Sequence, residues 1–83
     1  MNETVRQLAV DVTNHIANRE SSFTGDMARM AKEQGRFVEF LKTMYDQANP
    51  YNEEDVEIAE KVMRKVLGDY YEVVKNLTLT DFE

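Results

Sequence analysis

Apolar residues recur along this chain at intervals of three and four. Phe23, Met30, Phe37 and Met44 form a ladder of seven-residue steps through one half, and Val56, Met63, Tyr70 and Leu77 form a second through the other. Ala59, Val66 and Val73 lie between the rungs of the second. Such spacing lines residues up on one stripe of an α-helix, and no stretch shows the period of two that marks a strand. Each half is therefore expected to be an amphipathic helix that buries its stripe against another helix.

The pattern divides into three segments. The first spans about Glu3 to Arg19, with Val5, Leu8, Ala9, Val12 and Ile16 at helical spacing. A Thr4–Gln7 capping box could supply its start, or Asn2 could cap instead. Ser21-Ser22-Phe23-Thr24-Gly25 interrupts the pattern, and Ser22 or Thr24 is placed to cap the next helix, with Asp26 near its positive end. The second segment runs from about Asp26 to Gln47 and carries Gly35 inside it, read as a close helix approach or slight bend. Asn49-Pro50 then ends the helix, because proline cannot continue the hydrogen-bond ladder. Asn52 is a strong cap for a third segment, Glu53 to Asn76, whose first turn is acidic. Glu57–Lys61 and Glu60–Arg64 are favourable i,i+4 pairs along it. Gly68 could end this segment, but Val66, Tyr70, Val73 and Leu77 keep one phase across it, so a continuous helix is expected. The tail, Thr78 to Glu83, is too short to build an element and is expected to fray, although Leu79 and Phe82 could dock on the core.

These segments predict an all-α fold: a small antiparallel three-helix bundle, with the second and third segments as a long helical hairpin and the shorter N-terminal helix packed across it. Residues 1–83 are expected to form a single domain. At 1.5 Å per residue the long helices would be about 33–36 Å and the first about 25 Å. That mismatch leaves one end of the hairpin less covered. Phe37, Leu41, Val66 and Tyr70 are the expected core of the hairpin.

Composition narrows the function classes. The chain is 42% hydrophobic and 31% charged, unlike a disordered one. It has no cysteine, which excludes disulfides, thiolate chemistry and cysteine-ligated zinc. Met1-Asn2-Glu3-Thr4-Val5-Arg6 has neither the basic nor the apolar region of a signal peptide, and no apolar run approaches the ~20 residues of a membrane span. A cytoplasmic protein without membrane contact is expected. A net charge of −6 disfavours direct nucleic-acid binding, which draws on clustered Lys and Arg.

Catalytic and metal chemistry finds little to work with. His15, beside the stripe of Val12 and Ile16, reads as a rim residue. No serine has the spacing of a nucleophile, the glycines are scattered, and no Glu stands three residues before His15 as a di-iron bundle would need. A calcium loop of EF-hand type from Asp46 to Glu57 matches at its ends. It fails inside, where Ala48 and Pro50 replace oxygen ligands and Tyr51 replaces the turn glycine. No enzyme activity and no cofactor are expected. Asn76-Leu77-Thr78 reads as a chance glycosylation sequon.

The remaining constellation is electrostatic. No Lys or Arg occurs from Thr43 to Glu60, while Asp46, Glu53, Glu54, Asp55, Glu57 and Glu60 are acidic, with Tyr45 and Tyr51 among them. The helix turn would gather these residues, and Asp46, Tyr51, Glu54 and Glu57 are the candidate partner-binding residues. Helix-start electrostatics and a solvated face also account for the same carboxylates. Arg29, Lys32 and Arg36 are interleaved with Asp26, Glu33 and Glu39 and read as a salt-bridged face. Met27, Met30, Met44 and Met63 read as adaptable core packing.

The expected function is therefore a small acidic protein-interaction module, regulator or adaptor that self-associates and engages a protein partner of basic character. One alternative is an acidic decoy that mimics nucleic acid on a basic protein. Another is a nucleotide or small-ligand binder using Arg29, Lys32, Arg36, Tyr70 or Tyr71 at a subunit interface.

Overall fold

The helices form where the sequence marks them, but in shorter pieces. A computed structural model describes residues 2–83; Met1, part of the N-terminal stretch read above, lies outside the described residues. Helix α1 spans Glu3–Arg19, α2 Phe23–Gln34, α3 Phe37–Ala48, α4 Glu53–Leu67 and α5 Tyr71–Lys75. Short 3-10 turns occupy Gly68–Tyr70 and Leu79–Phe82, and no strand occurs among the described residues. Among the described residues, no helix is long and apolar enough to cross a membrane.

Helix α1 is the centre of the packing. The Val5 N–H donates to Asn2 Oδ1 at 2.8 Å, so Asn2 is the cap rather than a Thr4–Gln7 box. Ala9, Val12 and Ile16 are fully buried, and α1 packs chiefly against α2 and α3. Buried Thr13 meets its polar requirement locally, its hydroxyl donating to the Ala9 carbonyl at 2.7 Å.

The expected long hairpin is broken twice, and the three-helix bundle gives way to four helices of 12 to 17 residues plus the short α5. The first break is Gly35. Its φ of 68° is left-handed, its N–H donates to the Ala31 and Lys32 carbonyls, and the Arg36 N–H donates to the Ala31 carbonyl at 2.8 Å. These bonds satisfy the last carbonyls of α2 and end it. Helix α3 then starts afresh with its own inward face of Phe40, Leu41, Met44 and Ala48. The ladder of sevens assumes an unbroken helix, so it misplaces Phe23 and Met30. These are 78% and 58% exposed, and Phe37 is only half-buried. Ala28 and Ala31 face the core from α2 instead.

The second break is Gly68, where the apolar phase predicts a continuous helix. Its φ of 58° and ψ of −128° lie where a Cβ is sterically excluded. The chain makes one 3-10 turn and resumes as α5. The phase shifts by one residue: Tyr71 and Val74 are buried, while Tyr70 is half-buried and Val73 exposed. Val66 and Leu41 take the core positions expected of them.

Two junctions hold the ends together. Gly25, expected in a connecting stretch, lies instead inside the first turn of α2, which begins at Phe23. It presses against the Glu20 backbone so closely that a Cβ built there would overlap the Glu20 carbonyl group. The tail does not simply fray: Thr78 and Asp81 form a capping box around the final 3-10 turn, and Phe82 packs at 5.4 Å against Tyr45.

Candidate interaction surface

The acidic candidates all flank the turn between α3 and α4. Asp46 lies in the last turns of α3, Tyr51 stands wholly exposed in the turn, and Glu54 and Glu57 are exposed on the first turns of α4. Asn52 caps α4 as expected, accepting from the Glu54 N–H at 3.1 Å, and Glu53, Glu54 and Asp55 surround the positive helix end. The turn is anchored by Asn49, whose Nδ2 donates to the Tyr45 carbonyl at 3.2 Å and the Lys75 carbonyl at 3.3 Å.

The corner is less uniformly acidic than the sequence window implies. Lys42, one helical turn before Asp46, pairs with its carboxylate at 2.5 Å and stands over the Tyr45 ring at 5.4 Å. Asp46 is thereby partly neutralised, and the free acidic character falls to the α4 side of the turn.

Of the residues considered for an anion site, Arg29 and Tyr71 are taken up by packing within the chain. Arg29 donates to the Ala17 and Glu20 carbonyls, both at 2.9 Å, and pairs with Asp26, which makes it a clamp on the end of α1. Tyr71 belongs to the core, covered by the Arg64 guanidinium 4.5 Å from its ring centre. Arg64 in turn pairs with Glu60 and Glu72, each at 3.0 Å. Tyr70 meets the His15 ring edge-on at 5.3 Å. Burial, and then the nearby Arg19 charge, hold the His15 imidazole below its ordinary pKa of 6.5, so it favours the neutral form. Among the described residues, no three His, Asp or Glu side chains gather to hold a metal.

A stronger feature lies on α4, and sequence reading passed over it. At 100° per residue the apolar positions Ile58, Val62, Val66, Ala59, Met63, Val56 and Leu67 span about half of the helix circumference. The core uses only part of that arc, since Met63, Val66 and Leu67 are buried. Ile58 remains 65% exposed, Val62 48% and Val56 43%. Helix α4 thus carries apolar side chains, Ile58 and Val62 on one face and Val56 in its first turn, that the rest of the chain does not cover. A second uncovered stripe on α2 runs through Phe23 and Met30, beside a shallow groove of ≈ 180 Å³ lined by Met27, Ala31 and Phe40. The sequence signal for the α4 surface was the width of its apolar arc, broader than one core-facing stripe requires.

The sequence matches no protein-family model, and comparison with curated proteins and with solved structures returned no match.

Proposed function

We propose that this chain is a small, acidic, non-catalytic interaction module of the cytoplasm, a regulator or adaptor that works by docking through the uncovered face of α4. The observation that carries the reading is the exposure of Ile58 and Val62, neighbours on one face of the helix. Branched aliphatic side chains held on a regular element lose little further freedom on binding and gain by leaving water. An amphipathic helix with such anchors suits helix-against-helix recognition. The carboxylates at its start, Glu53, Glu54, Asp55 and Glu57, would steer a partner with basic residues beside its apolar contact, an effect felt mainly in the association rate and weakened by salt.

The test is an Ile58→Asp/Val62→Asp chain used as bait in its native host beside the wild type. Both side chains point away from the core, so the melting temperature should change little. Partner recovery should fall at least tenfold. Undiminished recovery of the same partner by the folded variant would refute docking through this face.

A further inference from the structure

We infer that the occupant of this face is α4 of a second copy of the chain, lying antiparallel across a two-fold axis between Ile58 and Val62. This rests on the reading of α4 as the docking element and adds the identity and geometry of what docks.

The argument begins with the spacing on the exposed side. Asp55, Ile58, Val62 and Lys65 follow one another at intervals of three, four and three, so they form a single line down α4 of the kind that packs against another helix. All four are exposed. Its centre is apolar, one end is acidic and the other is basic. A two-fold axis places residue i of one copy against j of the other and j against i. Setting Ile58 against Val62 of the second copy brings Asp55 against Lys65, and the same two contacts recur on the far side of the axis. The line is therefore complementary to itself when reversed. Parallel pairing would instead set Asp55 against Asp55 and Lys65 against Lys65.

The charge layout of the whole helix points the same way. Glu53, Glu54 and Asp55 fill the first turn of α4, and Arg64 and Lys65 lie in its last. Antiparallel pairing brings the acidic, N-terminal end of each helix to the basic end of the other. Arg64 is already committed to Glu60 and Glu72, whereas among the described residues Asp55 and Lys65 form no ion pair within the chain. Ala59 lies next to the axis and adds little bulk, so the backbones can approach. The one unfavourable contact is Lys61 near its own copy, offset in part by Glu57 one turn earlier on the same helix.

The area sets the strength. Contact limited to about four turns of helix falls at or below the standard interface range, about 1,200 Å² in total, so the dimer should be weak, with a dissociation constant in the micromolar range or above.

Sedimentation equilibrium from micromolar to millimolar chain tests the proposal. The wild type should pass from monomer to dimer. Lys65→Glu, far from the helix start, should weaken the dimer at least tenfold, because a carboxylate at that position would face Asp55 of the other copy on both sides of the axis. Asp55→Lys, which sets two ammonium groups together in the same way, should have a similar effect. The double variant Asp55→Lys/Lys65→Glu, which exchanges the charges, should return to within about threefold of the wild type. Melting curves of the dilute variants separate a frayed helix start from a lost interface. A wild type that stays monomeric at millimolar concentration, single variants that dimerise normally, or a double variant no better than the singles would each overturn this pairing. A monomeric wild type leaves docking to another protein standing or falling on the Ile58→Asp/Val62→Asp recovery.

Discussion

Gly25→Ala is expected to cost about 3 kcal/mol or more, at or above the usual range for overpacking. The added methyl would overlap the Glu20 carbonyl oxygen and stand 2.6 Å from its carbonyl carbon. These are backbone atoms, so no side-chain rotation relieves the clash. The same stretch of Glu20 accepts from Arg29, and its N–H donates to the Ile16 carbonyl at 2.9 Å. Moving it would therefore disturb both the end of α1 and the clamp that fixes α2 against it. Urea denaturation measures the effect. A loss below about 1 kcal/mol would show that the α1–α2 junction can open without harm.

Leu41→Ala should cost about 2–5 kcal/mol, the range for deleting a fully enclosed aliphatic side chain. Leu41 has no exposed surface and belongs to the inward face of α3 together with Phe40, Met44 and Ala48. Helix α3 contacts α1, α2, α4 and α5, so a cavity at Leu41 would loosen several packing pairs at once. The readout is again the denaturation midpoint with an unchanged slope. A loss under about 1 kcal/mol would place Leu41 at the margin of the core.

Much of the local structure was legible because it depends on neighbours in sequence. The bounds of α1, the break at Asn49-Pro50, the cap at Asn52 and the Glu60–Arg64 pair all follow from short-range rules, and Asn2 was the second of two caps the sequence offered. What misled was phase. A glycine in a helical pattern costs only about 1 kcal/mol if the helix continues, so Gly35 read as a bend, and Gly68, weighed as a stop, read as a continuation because the apolar phase carried across it. Both adopt positive φ, and each restart broke the common phase of the apolar sets before and after it. Phe23 and Met30 consequently left the core, Tyr71 entered it, and two long helices became shorter ones.

The candidate surface was half legible for a different reason. Charge clusters are visible along a sequence, and Tyr51, Glu54 and Glu57 are indeed exposed beside the α3–α4 turn. Lys42 was outside the acidic window by one residue, and only the helix brings it to Asp46. Ile58 and Val62 were ordinary members of an apolar helix until the structure showed which part of the arc the core leaves uncovered.

Amide hydrogen exchange followed across chain concentration tests the docking of α4 most directly. The N-terminal half of this helix has little tertiary cover, so its amides should open locally and exchange fast in the dilute chain. As concentration rises, protection of residues 55–65 should increase in step with dimer formation, while α1 and the buried face of α3 stay unchanged. Exchange in α4 that is independent of concentration up to millimolar chain, in a sample whose core remains protected, would contradict pairing through α4.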